Sequence, residues 1–450
     1  MNVKEEIFTK ADFGSDFHWG VVTAAFQVEG AVSEDGKGMS IWDTFSHKKG
    51  KIKNGHHADV ACDFYQRYES DLELVSQLGF SDFRFSISWS RILPAGTGEI
   101  NTAGIDFYNR LIDKCISVNI TPWITLYHWD LPQALQDKGG WKNREILEWF
   151  SEYVLLCTER FGDRVKHWIV LNEPLAVAAL GYTTGLHAPG LRGLWNFLPV
   201  VHHLVLCQAE GARVIRQNVQ DAYVGTAFSC SFIEPFSQDT KDIRAAKRAD
   251  AVMNRLFIEP ALGLGYPTDA FPYLNNIKKY MRPGDEDKMK FDFDFIGLQN
   301  YFSITVKHSY LIPVLWLNQI PAKLRNVPVT FMGWEINGDG MYKIIKQFSE
   351  YQGIKEMVIS ESGAAFEDIL ADEAVQDEKR KAYFQEYLAH VLKAKQDGIN
   401  IKGYLAWSLI DNFEWAEGYA ARFGLVHVDF ETQKRTVKDS GKWFADFLKN

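Results

Sequence analysis

The chain has 450 residues, 46% of them hydrophobic, so a folded globular protein with a large core is expected. Its formal net charge of −9 disfavours nucleic acids and anionic membrane surfaces as partners, because both attract basic patches. No stretch of about 18 consecutive apolar residues is present, so no membrane span is expected.

Short apolar or β-branched runs alternate along the chain with longer amphipathic stretches. Residues 57–79, 143–162 and 377–398 place apolar side chains at helical spacing, and in the first of these the pattern starts at Val60. These three stretches are predicted to be helices. The eight strand candidates, in chain order, are 17–26, 82–87, 121–127, 167–171, 222–228, 293–299, 356–360 and 402–408.

Eight strands that alternate with helices predict an α/β fold of the (β/α)₈ TIM-barrel type, with elaborated loops at the carboxyl ends of the strands. Barrels of this kind often run long as one unit, so residues 1–450 are expected to form a single domain. A doubly wound open sheet is the alternative. It favours a Gly-rich phosphate-binding turn after an early strand, and the sequence contains no G-x-G-x-x-G or P-loop motif.

Polar and aromatic residues follow most of the predicted strands, where the mouth of a barrel would lie. Two carboxylates, Glu173 and Glu361, close apolar strands. No H-E-x-x-H or G-x-S-x-G motif is present, and the adjacent His56 and His57 are interpreted as an exposed loop pair, so neither a metal nor a cofactor is expected. The other residues near the strand ends are Gln27, Glu29, Arg84, Tyr127, His128, Trp129, Asp130, Asn172, Gln299, Asn300, Tyr301, Trp407, Glu414 and Trp415.

This combination of side chains suits a sugar. Amides and carboxylates hydrogen-bond to hydroxyl groups in defined directions, and flat aromatic faces pack against the C–H faces of a pyranose. A pair of carboxylates performs glycosidic bond cleavage. Each residue alone also has an ordinary structural explanation: Glu173 could precede a helix that begins at Pro174, and Arg84 could be a structural counter-ion. The functional interpretation therefore depends on the whole set.

Long motifs then connect the chain with a known family. The sequence resembles glycoside hydrolase family 1, the retaining glycosidases of the β-glucosidase type, over residues 17–444. The motifs in the family's order are "FHWGVVTAAFQVEGA", "IWDTF", "FRFSISWSRILP", "TLYHWDLPQAL", "WIVLNEP", "LGYTTGLHAPG", "VISESGAAFED" and "WSLIDNFEWAEGY", followed by "ARFGLVHVDFETQKRTVKDSGKWF".

The resemblance implies a role for each residue. Glu173, in the N-E-P motif, is the expected acid/base, and Glu361 is the expected nucleophile, supported by Arg84 and Tyr301. Ser362 follows Glu361 where the family usually has Asn, which affects fine tuning alone. The implied substrate-binding residues are Gln27, His128, Trp129, Asn172, Trp407, Glu414, Trp415 and Phe423, with Trp334 as an aromatic clamp on the aglycone side.

The strand-six motif also departs from the family, which commonly has G-x-N-Y-Y. Counting from Gly297 puts Gln299 at the family's Asn and Tyr301 at its second Tyr. A shift by one residue would instead use Asn300 and Phe302, with no phenol left. The first register is preferred because it keeps the phenol.

The resemblance implies hydrolysis of terminal non-reducing β-D-glycosyl residues by double displacement. The expected enzyme is a β-glucosidase with β-galactosidase or β-fucosidase side activity. Phospho-sugar members replace Glu414 with Ser, and thioglucosidases replace Glu173 with Gln, so an unphosphorylated O-glycoside or oligosaccharide is the expected substrate. A transglycosylase that uses the same residues remains an alternative. A non-catalytic sugar-binding protein is a second alternative, but such a protein would be expected to lack one of the two carboxylates, and both are present here.

Three further features bear on location and surroundings. The five cysteines are widely spaced and lack a C-x-x-C motif, which favours a reducing compartment over a disulfide framework. Residues 1–16 contain no apolar segment typical of a secretory signal, so a cytoplasmic location is expected. Residues 309–324 are unusually apolar and either line an aglycone or partner site or pack on the barrel rim. The sequence leaves the oligomeric state open.

Overall fold

Eight parallel strands close into a barrel in the computed structural model, which describes residues 8–312 and 314–449. Each strand pairs with its neighbours in chain order, and the last pairs with the first. The TIM-barrel prediction is therefore confirmed. The strands are β1 His18–Val22, β2 Asp82–Ser86, β3 Thr121–Tyr127, β4 His167–Asn172, β5 Tyr223–Ser229, β6 Phe295–Gln299, β7 Met357–Ser362 and β8 Ile401–Trp407.

One long helix follows each strand: α1 Phe64–Gln77, α2 Thr102–Ser117, α3 Ile146–Phe161, α4 Phe197–Asn218, α5 Thr240–Asp250, α6 Gly338–Ser349, α7 Glu378–Gln396 and α8 Asp439–Lys449. Shorter α-helices span Ala25–Val28, Ile41–Ser46, Trp89–Ile92, Gln133–Asp137, Pro174–Ala176, Ile258–Ala261 and Asp285–Lys288, and π-helices span Val177–Thr184 and Ala251–Arg255. The 3₁₀ helices are Lys10–Phe13, Lys53–Gly55, Gly140–Lys142, Leu194–Asn196, Pro272–Tyr280, Ala322–Arg325 and Trp415–Glu417.

Three small sheets lie in the loops outside the barrel, among the described residues. One contains Ile233–Pro235, Ile304–His308 and Leu317–Gln319, and two-stranded sheets pair Leu370–Ala371 with Ala374–Val375 and Val426–Val428 with Arg435–Val437. Among residues 8–312 and 314–449 there is no helix with the length and apolar character needed to cross a membrane.

Two element predictions differ from the structure. The strand predicted over 17–26 ends at Val22, because the chain leaves the barrel there and Ala25–Val28 forms a buried helical turn. The helix predicted over 57–79 begins at Phe64, so Val60 lies before it and is 57% exposed. A largely apolar run such as 17–26 has no alternation of polar and apolar residues that would mark the end of the strand.

The core has two layers, as the alternation of strand side chains requires. Outward-facing residues pack against the helices in the larger cluster. Glycines make room inside the barrel: a Cβ atom on Gly225 would lie 2.4 Å from the Phe295 ring. The interior of the barrel is filled mainly by Val22, Trp123, Ile169, Ala227, Phe295, Val358 and Leu405.

Irregularities in two strands decide which side chains reach the mouth of the barrel. The pairing of β4 with β5 shifts register between Ile169 and Asn172, and the pairing of β7 with β6 shifts between Ile359 and Glu361. Strict alternation from the inward-facing Ile169 and Val358 would turn Asn172 and Glu361 outward. The extra residue in each strand turns them inward instead.

Candidate active site

A cavity of about 540 Å³ opens at the carboxyl ends of the barrel strands. Gln27, Arg84 and Asn172 are fully buried and bond to other residues of the site. The remaining predicted site residues all line the cavity: His128, Trp129, Glu173, Tyr301, Trp334, Glu361, Trp407, Glu414, Trp415 and Phe423.

Three side chains donate hydrogen bonds to the Glu361 carboxylate. Arg84 Nη1 and Gln299 Nε2 donate to Oε1 over 2.6 Å and 2.8 Å, and the Tyr301 hydroxyl donates to Oε2 over 2.6 Å. Burial raises the pKa of Glu361, but Arg84, Tyr301 and Gln299 oppose that effect by stabilising the charged form. Of the two cavity carboxyl groups Glu173 and Glu361, the second is therefore the one that loses its proton first.

Asn172 links this carboxylate with the opposite wall. Its Oδ1 accepts from Arg84 Nη2 and Gln299 Nε2, each over 2.6 Å, so its Nδ2 must be the atom that donates to His128 Nε2 over 3.0 Å. Burial and the charge of Arg84 hold the pKa of His128 well below its usual range, so the imidazole is neutral. Its proton consequently lies on Nδ1, which has no hydrogen-bond partner among the described residues.

Glu173 has a different environment. It follows β4 with a left-handed backbone (φ 44°), precedes the short helix that begins at Pro174, and donates its backbone N–H to the Ala227 carbonyl. Burial, followed by the charge of Glu361, raises the pKa of Glu173 to about 8, against the effect of Ser229 and Arg84. Glu173 is therefore protonated at neutral pH.

A third carboxyl group, Glu414, lies beside Gln27. Gln27 Nε2 donates to Glu414 Oε2 over 3.3 Å and to the Phe413 carbonyl and Asn412 Oδ1 over 3.0 Å each. Gln27 Oε1 has no partner among the described residues, so it can accept a hydrogen bond from a ligand. Burial and the charge of Glu361 raise the pKa of Glu414 to about 8.

Aromatic rings cover the same side of the cavity. Trp129 and Trp415 lie 4.5 Å apart between ring centroids, and the His128 ring stacks on Trp415 at 5.9 Å. Trp129 Nε1 donates to the Asn172 carbonyl. Such flat surfaces beside buried polar groups match the two faces of a sugar ring.

A model described as glycosyl hydrolase family 1 matches residues 9–450 of this sequence. The chain belongs to glycosyl hydrolase family 1. A 1,4-beta-D-glucan glucohydrolase of Thermotoga neapolitana is 46% identical over 440 residues, covering 97% of this chain and 98% of that protein. Beta-glucosidase A of Thermotoga maritima is 45% identical over 456 residues, covering 100% of this chain and 99% of the relative.

Solved structures agree with the sequence relatives. The family 1 β-glucosidase from Thermotoga maritima superposes with a TM-score of 0.93 at 45% identity, covering 97% of this chain and 98% of that one. The same values hold for the Thermotoga maritima β-glucosidase in complex with deoxynojirimycin. The chain is accordingly a glycosidase with the barrel of family 1.

The strand-six departure from the family pattern is accommodated by alternation along β6. Phe295 faces the barrel interior and Leu298 faces the helices, so Gln299 also points inward. Asn300 points away and donates to the Cys230 carbonyl. The structure thus brings Gln299 and Tyr301 to Glu361, which matches the preferred register.

One side of the family 1 cavity was missed by the sequence analysis. It belongs to the loops after β4, β5 and β6 and is largely apolar, with Ser229 at its base. Ser229 ends β5, so the strand-end rule could have found it; the apolar residues carry no such signal. They are Leu175, Ala176, Ala179, Leu180, Met253, Phe302 and Met332.

Two expectations about loops can be compared with the structure. Residues 309–312 and 314–324 do not contribute to the lining of the cavity, so the idea that this apolar stretch lines the aglycone site is wrong for the described residues. Leu317–Gln319 instead pairs with Ile304–His308 outside the mouth. Of the predicted exposed pair, His57 is exposed, but His56 is half-buried and accepts from the Tyr419 N–H.

Proposed function

We propose that this chain is a retaining β-glucosidase that removes β-D-glucosyl residues from the non-reducing ends of β-glucosides, with β-galactosides and β-fucosides as secondary substrates. One observation carries the proposal: two buried carboxyl groups line one cavity, and hydrogen-bond donors surround Glu361 whereas Glu173 keeps its proton near neutral pH. The names of the relatives support glucose as the sugar.

In the first step, the Glu361 carboxylate attacks the anomeric carbon of the substrate. The glycosidic C–O bond breaks as Glu173 transfers its proton to the leaving oxygen. The products are a glucosyl ester of Glu361 and the free alcohol. Arg84 and Tyr301 act as positioning residues that hold the nucleophile ionised and oriented.

In the second step, water hydrolyses the ester. Esterification removes the negative charge of Glu361, which is one cause of the raised pKa of Glu173. Glu173 consequently acts as a base more readily and takes a proton from the water that attacks the anomeric carbon. The ester bond to Glu361 breaks, and the sugar leaves with its original β configuration after two displacements.

The sugar hydroxyls would be recognised by groups on the β8, β1 and β3 side of the mouth. Gln27 Oε1 is an available acceptor, and His128 Nδ1 an available donor. Glu414, Asn172 and the rings of Trp129, Trp407, Trp415 and Phe423 complete this proposed glycone site. A neutral polyhydroxyl ring supplies both donors and acceptors, so it satisfies such a mixed set.

The apolar side is proposed to bind the aglycone, with Trp334 as its aromatic clamp. Leu180, Met253 and Phe302 offer contact area but no hydrogen bonds, so a flat apolar aglycone gains more there than a second sugar unit. A phosphorylated sugar is disfavoured, because no Lys or Arg appears among the described residues lining the cavity. The charge of Glu414 adds little at neutral pH, because burial and Glu361 raise its pKa to about 8.

Two alternatives use the same site. Transglycosylation differs in which acceptor reaches the glucosyl ester, and the same residues would serve it. A non-catalytic sugar-binding role is less well supported, since both carboxyl groups have environments suited to catalysis. We also propose one catalytic domain over residues 1–450 and a cytoplasmic location, which the five buried free thiols support.

A panel of p-nitrophenyl β-glycosides tests the proposal. The wild type should turn over the β-glucoside fastest, and Glu361→Gln should lower kcat by at least about 10³-fold. Glu367 is an exposed carboxylate in the loop that follows β7, so Glu367→Gln is the matched control and should retain activity. Equal background rates for the folded wild type and Glu361→Gln would favour the binding-protein alternative.

A further inference from the structure

Outside the catalytic cavity, three potential metal ligands meet on the loop between β1 and α1. His47 Nε2 lies 3.2 Å from Asp59 Oδ2, and His57 Nδ1 lies 3.3 Å from the same oxygen. All three ligand atoms lie within 4.8 Å of one another. Ligand atoms about 2.1 Å from one ion lie about 3.0–3.4 Å apart at octahedral or tetrahedral angles, so small side-chain rotations would close the site.

The orientation of His47 is already that of a metal ligand. Its Nδ1 lies 2.8 Å from the Asp43 carbonyl oxygen, which can only accept a hydrogen bond. Nδ1 therefore carries a proton, so Nε2 is the ring atom that faces Asp59 and that can bind a metal ion in place of its own proton. Metal-bound histidines are usually fixed by the same kind of contact from the other ring nitrogen.

Ion pairing of both histidines with Asp59 at once would place like charges side by side. If both imidazoles were protonated to pair with Asp59, two cations would stack with ring centroids 5.1 Å apart and an interplanar angle of 19°. Two neutral imidazoles and one carboxylate around a single divalent cation avoid this repulsion. The cation would take the place of the two protons.

The ligands are accessible and suit a particular class of ion. The side chains of His47, His57 and Asp59 are 47%, 51% and 32% exposed, which leaves room for water in the remaining coordination positions. Two imidazoles with one carboxylate favour Zn²⁺, Co²⁺, Ni²⁺ or Cu²⁺ over Mg²⁺ or Ca²⁺, which prefer oxygen ligands.

The loop is held in place by the segment that follows β8. The Tyr419 hydroxyl donates to the His57 carbonyl over 2.9 Å, the Tyr419 N–H donates to His56 Nδ1 over 3.1 Å, and Lys53 pairs with Glu417 at 2.9 Å. These contacts restrain the backbone of one ligand, His57, and two other residues of its loop, His56 and Lys53, before any ion arrives. They also connect the loop with the cavity rim, because Glu417 lines the cavity.

We propose that His47, His57 and Asp59 form a surface binding site for one divalent transition-metal ion of the zinc type. This site is separate from the catalytic carboxyl groups, and its existence does not depend on the proposed glucosidase activity. No metal-binding motif marks this site in the sequence, since His47 and His57 lie ten residues apart on an irregular loop.

Zinc binding by tag-free, chelator-treated protein tests the proposal in competition with a chromophoric chelator. The wild type should bind one Zn²⁺ per chain at this site, and His57→Asn should weaken that binding by at least about tenfold. His390→Asn is the matched control. His390 resembles His47 in that its Nδ1 contacts a backbone carbonyl, that of Glu386, at 2.9 Å. Among the described residues, His390 belongs to no group of three potential metal ligands.

A second variant, Asp59→Asn, keeps the test decisive if His57→Asn does not fold. Both metal-free variants should keep the hydrolysis rate of the wild type within about twofold, because neither residue touches the cavity. The proposal is overturned if the wild type binds Zn²⁺ more weakly than about 1 mM. It is equally overturned if both variants bind zinc as the wild type does, since the metal would then lie elsewhere.

Discussion

Replacing Tyr301 with Phe should raise the pKa of Glu361. The Tyr301 hydroxyl donates to Glu361 Oε2 over 2.6 Å, and Glu361 is 3% exposed, so water cannot readily replace the lost donor. A hydrogen bond to a charged group contributes about 1.5–3 kcal/mol. One pKa unit corresponds to about 1.4 kcal/mol, so the expected rise in the pKa is about 1–2 units.

The pH profile of kcat/KM reports this change. Attack requires the ionised Glu361, so kcat/KM rises as pH increases through the pKa of this group. A higher pKa shifts the acid limb of the profile to higher pH by about 1–2 units, and at a fixed pH on that limb the rate falls about 10–100-fold. The assay is hydrolysis of p-nitrophenyl β-glucoside between about pH 4 and pH 9.

A matched control separates this effect from a general loss of stability. Tyr153 is a buried tyrosine whose hydroxyl donates to the Leu126 carbonyl over 2.6 Å, away from both carboxyl groups. Tyr153→Phe should lower the melting temperature but leave the acid limb in place. An unchanged acid limb in Tyr301→Phe, with the protein folded, would refute the stabilisation of the nucleophile by this phenol.

Three further results are expected. The wild-type kcat/KM should fall as pH rises through about 8, because Glu173 then loses its proton. Glu173→Gln should lack this basic limb of the pH profile, and a basic limb retained in the variant would exclude Glu173 as the acid. Lys438→Met should destabilise the protein by about 3 kcal/mol in thermal unfolding, because it removes the buried cation that Asp411 and Asp368 share and leaves each with one arginine partner; an unchanged melting temperature would contradict this. Met253→Asn should lower kcat/KM for the aryl glucoside relative to cellobiose by about tenfold, and an unchanged ratio would argue against an apolar aglycone side.

The order of strands and much of the site were predictable from the sequence. Alternation along β2 places Arg84 inward between the outward-facing Phe83 and Phe85, and alternation along β6 does the same for Gln299. These positions follow from a period of two residues, which the sequence displays directly. The family motifs then supplied the roles.

The two carboxyl groups themselves were harder to place on physical grounds. Asn172 and Glu361 turn toward the barrel interior because the strand pairings of β4 and β7 change register just before them, and Glu173 follows β4 with a left-handed backbone. No residue type in "WIVLNEP" or "VISESG" marks such a shift. It depends on hydrogen bonding between strands that are distant in the sequence.

Contacts between distant loops were also beyond the sequence. Arg84 and Glu361 are 277 residues apart, yet they form the closest ion pair of the site at 2.6 Å. The apolar aglycone side combines Leu180, Met253 and Phe302 from three different loops, each of which taken alone resembles an ordinary core residue. Such sets become visible when the barrel brings its strand ends together.

The most direct test of the account is the identity of the residue that becomes covalently bound to the sugar. A 2-deoxy-2-fluoro-β-glucoside with a good leaving group should inactivate the enzyme, because the fluorine slows both formation and hydrolysis of the ester and the leaving group restores only its formation. Mass spectrometry of the digested protein should then find one fluoroglucosyl group, on the peptide that contains Glu361. A label on another residue, or steady turnover of ordinary glucosides by protein that never accumulates a label, would contradict double displacement through Glu361.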